Sequence, residues 1–158
     1  MISSFLAGFQ NHTSSPAGKD KDQEDDTLIW QMATRFNTLF NSGDTMGMNQ
    51  LLPEDFMLQW LHENFLTKSS LLKAIADPSL NSTFLHQIER DDRAFISYSD
   101  NRQAACLDAS LRFLDPKMVE SIKKEHGYGL CIMYFQKRDN RWWLKTVHLD
   151  LHCSLCNL

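Results

Sequence analysis

The sequence predicts an α+β fold in which three N-terminal helices pack on a strongly curved antiparallel β-sheet. Two observations carry this. Up to Pro78 the apolar residues recur at helical spacing around one short alternating run, and beyond Pro78 five alternating runs are separated by polar turns. With 158 residues, 42% hydrophobic and 23% charged, the chain suits one globular domain that buries a core without disulfide or metal staples.

Residues 1–26 read as a flexible leader, because residues 10–26 offer almost nothing to bury. The leader ends in Glu24-Asp25-Asp26, acid placed at the positive end of a first helix over 27–41. That helix carries Leu28, Ile29, Met32, Ala33, Phe36, Leu39 and Phe40 as its apolar stripe. Asn41-Ser42-Gly43-Asp44 has the residues of a helix stop followed by a new N-cap, and Met46, Met48, Leu51 and Leu52 give the second helix its apolar face. Asp55 to Leu61 alternates around Phe56, Leu58 and Trp60, as a strand with one buried face does. Thr67 caps a third helix that runs through Leu71, Leu72 and Ile75 to a stop at Asp77-Pro78.

The expected strands are Phe84–Glu89, Ala94–Ser99, Gln103–Phe113, Tyr128–Lys137 and Arg141–Leu151. Asp91-Asp92-Arg93, Asp100-Asn101-Arg102 and Arg138-Asp139-Asn140 have the composition of tight hairpin turns, so the strands read as an antiparallel meander. Asp115-Pro116, with Met118, Val119 and Ile122 on one face and Gly127 as a stop, predicts an extra short helix at about 116–126.

Charge and composition exclude several classes. Sixteen Lys+Arg against 20 Asp+Glu give a net charge of −4, with no basic footprint for a nucleic acid backbone. No stretch reaches the apolar length of a membrane helix, and Met1–Phe9 has no basic residue ahead of its short apolar run. The chain therefore reads as cytoplasmic, the alternative being an exported protein whose signal was trimmed near Ala7-Gly8. Cys106, Cys131, Cys153 and Cys156 are too sparse for a disulfide scaffold and read as reduced thiols.

Ser42-Gly43-Asp44, then Leu51-Leu52 and Asp55-Phe56, resembles the passage from the first helices to the first strand in the nuclear-transport-factor-2-like superfamily. Arg138-Asp139-Asn140-Arg141-Trp142-Trp143-Leu144 followed by His148 is similar to that superfamily's last hairpin, and Asp100-Asn101-Arg102-Gln103-Ala104 to an earlier turn and strand. The resemblance spans about residues 27–152, which implies a single cone-shaped domain over 27–158. It implies either a homodimeric small-molecule-binding or interaction module, or a cofactor-free isomerase, cyclase or dehydratase like the polyketide cyclases and ketosteroid isomerase. The helix expected after Asp115 departs from the plain hairpin more usual there.

Strict alternation in the last strand puts Trp142, Leu144, Thr146, His148, Asp150 and His152 on one face. The resemblance implies that this face looks into the cone. His148 beside Asp150 has the groups for proton transfer near neutral pH; the plainer reading is a half-buried His with a satisfied hydrogen bond. Asp108 shares a strand face with Cys106, Ser110 and Arg112; it is a cavity base if that face looks inward and a solvated carboxylate if it looks outward. Trp60, Trp142, Leu144 and Thr146 are the candidate lining of a cavity for a small apolar ligand. His62 and His86 read as structural or surface residues. Cys153-x-x-Cys156 near His148 and His152 has zinc-type ligands but lacks the paired second half of a zinc motif, so no metal and no cofactor are expected. Apolar residues on both faces of a sheet that helices cover on one face predict a homodimer through the sheet.

Overall fold

The computed structural model describes residues 19–60, 64–83, 85–117, 119–120 and 127–153. Helices α1 (Lys19–Ser42), α2 (Thr45–Leu51), α3 (Lys68–Ala76) and α4 (Pro78–Thr83) pack on one face of a seven-stranded sheet. Its strands are β1 (Met57–Trp60), β2 (Asn64–Thr67), β3 (His86–Glu89), β4 (Phe95–Tyr98), β5 (Ala104–Phe113), β6 (Gly127–Arg138) and β7 (Arg141–Cys153). The order is β2-β1-β7-β6-β5-β3, with β4 also on β5. Every junction is antiparallel except β1 on β7, which is parallel and makes the sheet mixed. No helix among the described residues is long and apolar enough to cross a membrane.

The helix junctions follow from local chemistry. Gly43 takes φ +66, and the Gly43 and Asp44 N–H groups close on the Phe40 and Leu39 carbonyls, ending α1. A Cβ at Gly43 would sit 2.9 Å from the Ile75 carbonyl oxygen, so α3 also requires glycine there. Asp44 then caps α2 by accepting from the Gly47 N–H at 2.8 Å, and Thr67 caps α3 by accepting from Ser70 N–H. The core stripe of α1 is Ile29, Ala33, Phe36 and Phe40, all buried, while Leu28 stays 41% exposed. Asp115 O accepts from the Val119 N–H, and residues 116–117 and 119–120 are helical. The remainder of that expected helix lies outside the described residues.

Several sequence expectations need correction. Helix α1 is already formed at Lys19, so 19–26, read as leader, are helical, and Asp25 is buried against the sheet. The run from Asp55 to Leu61 yields a shorter β1, and Asn64–Thr67 forms an unanticipated partner strand. Helix α4 was also not foreseen.

Asp91-Asp92-Arg93 is not a hairpin turn. β3 and β4 both run antiparallel to β5, one beyond the other, as a single strand interrupted at 90–94. The interruption is fixed by Asp91, which accepts from the Arg93 N–H and from the Ser110 hydroxyl on β5. The other two turns form as expected; Asp139 and Asn140 both take positive φ, the geometry of a tight two-residue hairpin.

The edge strand β3 is covered by α1. Asn37 and Asn41, one helical turn apart, both donate to the His86 carbonyl, at 2.7 and 2.6 Å. Their carbonyl oxygens accept from the N–H groups of Ile88 and His86. Two side-chain amides thus occupy backbone groups that an open sheet edge would leave to water or to another chain.

Candidate functional site

The alternation expected in β7 is broken once. Tyr134 pairs with Thr146 but Phe135 pairs with Leu144, leaving Lys145 as an extra residue in β7. Before this bulge Trp142 and Leu144 face the helices, at 4% and 0% exposure; after it Val147 and Leu149 do, both fully buried. Thr146, His148 and Asp150 are therefore on the outer face, not with Trp142 and Leu144 as the unbroken period required. Lys145 is held by an ion pair to Asp55, which also accepts from Arg138.

The outer face can be read across the strands. One row runs Phe95, Asp108, Ile132, His148, Gln59 and Phe65, from β4 to β2. The next has Ser97, Cys106, Tyr134, Thr146 and Met57. Phe95, Phe65 and Met57 are exposed, at 55%, 51% and 40%, and Leu130, Ile132 and Tyr134 are half-buried between them. His148 meets the edge of the Tyr134 ring, with centroids 5.6 Å apart. Desolvation lowers the His148 pKa against a smaller upward pull from Asp150, and desolvation raises the Asp108 carboxyl. Burial, with the Asp108 charge nearby, pushes the Cys106 thiol to about 11, so it is protonated near neutral pH. Ile132 separates His148 from Asp108 in the row.

Inside the cone the rings pack on one another. Phe40 stacks on Trp60 at 6.5 Å and meets His86 edge-on at 4.8 Å; Trp60 meets Phe113 edge-on at 5.9 Å; Phe36 adjoins both Phe40 and Phe56. His86 is completely buried in this group. Of the expected cavity-lining residues, Trp60, Trp142 and Leu144 face this interior and Thr146 does not.

At the other end of the sheet is a cluster that sequence reading missed. Asp25 accepts from Trp142 Nε1 at 2.7 Å and lies 3.2 Å from Lys137 Nζ and 3.5 Å from Arg102. Burial pushes its carboxyl up, but the Trp142, Lys137 and Arg102 donors outweigh that and hold it below its usual value. Asp26 accepts from the Tyr98 hydroxyl at 2.6 Å, and the Arg102 guanidinium lies 4.1 Å above the Tyr98 ring. The signal available beforehand was the buried indole N–H, which needs an acceptor. Two hollows open on the helical side: one of about 370 Å³ between α1 and the β6–β7 turn, and one of about 470 Å³ bordered by α2 and α3. Cys153 ends β7, and Cys156 lies outside the described residues.

No protein-family model matches the chain, and no curated protein matches it. Solved structures do. A nuclear-transport-factor-2-like protein with a cystatin-like fold from Novosphingobium aromaticivorans superposes with TM-score 0.61 at 14% identity, covering 85% of this chain and 86% of that one. A proposed scytalone dehydratase from the same organism gives 0.60 at 15% identity, over 84% and 87% of the two chains. A nuclear-transport-factor-2-like protein from Cytophaga hutchinsonii gives 0.57 at 11% identity, over 79% and 96%. The fold is thus the nuclear-transport-factor-2-like cone. At these identities the likeness establishes architecture and leaves chemistry to the residues.

Proposed function

We propose that the chain is a homodimeric interaction module that pairs through the outer face of its sheet. The observation carrying this reading is the row Phe95–Ile132–Phe65, with Met57, Leu130 and Tyr134 beside it. Leu130, Ile132 and Tyr134 are half-buried at its centre and Phe95, Phe65 and Met57 exposed toward its edges, on a face that no helix among the described residues covers. A two-fold axis through the face would set each row against its copy and bury these groups. A cytoplasmic setting agrees with Cys106 and Cys131, which are unpaired thiols.

The test is sedimentation of the full chain. A dimer at micromolar concentration is expected, converting to monomer in Ile132→Glu with the fold retained by circular dichroism. Phe95→Glu with Phe65→Glu, both at exposed positions, gives the same readout without touching the half-buried centre. A wild-type monomer at high micromolar concentration overturns the reading.

The alternative is a cofactor-free isomerase, cyclase or dehydratase using His148, Asp150 and Asp108 to move a proton. In its favour is a His148 whose desolvation keeps it unprotonated at neutral pH, as a base requires. Against it, the rings of Phe40, Trp60, His86 and Phe113 fill the interior where an apolar substrate would lie. Turnover of a candidate carbonyl substrate that is lost in His148→Gln, with dimerisation intact, would favour this alternative.

A further inference from the structure

We infer that the two copies of the proposed dimer are related by an axis running parallel to the strands, between β6 and β7, so that the outer row from Phe95 to Phe65 lies on its own reverse. The inference deepens the dimer reading and rests on it.

The width of the sheet places the axis. At the level of Ile132 the face is six strands wide, in the order β4, β5, β6, β7, β1, β2, so its midline is the β6–β7 junction. Phe95 and Phe65 stand at the two ends of this row, each about 12 Å from the midline at about 4.8 Å per strand. Both rings are largely exposed. A two-fold axis along the midline lays Phe95 on Phe65 of the partner subunit, twice per dimer, and leaves neither ring overhanging. Moved onto β6, the axis would set Phe95 against Gln59 and leave Phe65 beyond the edge of the other copy; moved onto β7, it would strand Phe95 in the same way.

The residues between the two rings are complementary under the same operation. Asp108 meets Gln59 of the partner subunit, a carboxylate on an amide. Ile132 meets His148 of the partner subunit, an aliphatic chain on a ring that desolvation holds toward its neutral form. One row on, Cys106 meets the exposed thioether of Met57, and Tyr134 meets Thr146, hydroxyl on hydroxyl. An axis crossing the strands along the Ile132 row would also stack Phe95 and Phe65 on their copies, but it sets Asp108 on Asp108 and His148 on His148. Burial raises the Asp108 carboxyl, so a second carboxylate against it is the less favourable contact.

The hairpin end offers little opposition. The strand-parallel axis brings Arg138, Arg141 and Lys145 near their copies, but Arg138 and Lys145 are ion-paired to Asp55, and Asp139 stands in the turn. Three cations thus face two acids at the rim of the face, where salt screens the remainder.

The experiment is disulfide trapping in the full chain, with Cys153→Ser and Cys156→Ser as background. Met57→Cys places a thiol three strands, about 14 Å, from Cys106 of its own chain, beyond disulfide reach, and opposite Cys106 of the partner subunit. Oxidation with copper–phenanthroline should turn most of the Met57→Cys chain into a covalent dimer on a non-reducing gel, and adding Cys106→Ser should abolish it. Ser110→Cys, which faces Cys106 only if the axis crosses the strands, should give none. In solution, Gln59→Lys sets a cation against Asp108 of the partner subunit and should tighten the dimer several-fold, a gain lost in Asp108→Asn. Residues 59 and 108 lie three strands apart within one chain, so their coupling reports the other copy. A covalent dimer from Ser110→Cys, none from Met57→Cys in a chain that sediments as a dimer, or a weaker dimer in Gln59→Lys each overturns the axis and leaves the dimer reading standing. A wild-type monomer overturns both.

Discussion

Asp25 Oδ1 accepts a 2.7 Å hydrogen bond from the indole of Trp142, joining α1 to the first turn of β7 across 117 residues of sequence. With Lys137 and Arg102 on the same carboxylate, and Tyr98 on Asp26, two adjacent acids tie the helix to both hairpin ends of the sheet.

The first prediction is that these acids belong to the folded domain. Asp25→Ala leaves a buried indole N–H and two cations without their acceptor, and should cost about 1–3 kcal/mol in denaturant unfolding. A chain beginning at residue 27 should lose at least as much, whereas one beginning at residue 19 should match the full chain. Because the Asp25 pKa lies below its ordinary 3.8, its contribution is complete above that value and disappears as pH falls through the lowered one. Asp25→Asn should therefore flatten the acid limb of the stability profile. Equal stability of the chains beginning at 19 and 27 would refute the assignment.

The second prediction concerns the covered edge. Asn41→Ala removes both a donor to the His86 carbonyl and the acceptor of the His86 N–H, and should destabilise by about 1–3 kcal/mol. Hydrogen exchange should locate the damage, with the amides of β3 losing protection before those of β6. Uniform loss across the sheet would mean that Asn41 acts through helix packing instead.

The third prediction follows from the bulge. Lys145→Ala keeps the extra residue and loses only an ion pair to the exposed Asp55, so it should cost at most about 1 kcal/mol. Deleting Lys145 removes the unpaired residue and makes Leu144 and Thr146 consecutive partners of Phe135 and Tyr134, so plain alternation keeps Leu144, Val147 and Leu149 on the core face. That variant should fold, losing only the bulge and the ion pair. A deletion variant that fails to fold, measured by thermal unfolding, would show that the bend made by the bulge is itself required.

The same bulge explains how much the sequence could say. Gly43, Asp44 and Thr67 act through contacts within five residues, and their turn and cap chemistry was readable directly. The five later strands and the Asp139-Asn140 turn were readable for the same reason. The faces of β7 were not, because a period of two has no term for an inserted residue, and the Lys145 bulge is decided by pairing with β6. Asp25 was hidden differently: an acidic run ahead of an apolar stripe suits a solvated helix start equally well, and only the fold brings Trp142 and Lys137 to it. The interruption at Asp91 had turn composition, but Ser110 on β5 determines that the chain jogs there instead of reversing.

The last prediction joins the outer face to pH. His148 is faced by Tyr134 from β6, Gln59 from β1 and Asp150 on its own strand, with Asp108 beyond Ile132. Desolvation sets its pKa below the ordinary 6.5, so the neutral ring is the form the folded face favours, and burying that face between two copies extends the same preference. For the proposed dimer the sign is then fixed: association is complete above pH 6.5 and is lost as pH falls through the lowered value. Asp108 works in the opposite sense, since burial raises its carboxyl and its charge opposes burial at neutral pH. Sedimentation equilibrium between pH 7.5 and 5 should show the dimer weakening several-fold on acidification, and His148→Gln should remove most of that dependence. Asp108→Asn should tighten the dimer at neutral pH. A wild-type dimer whose affinity rises as the pH is lowered would put Asp108, not His148, in control of the face.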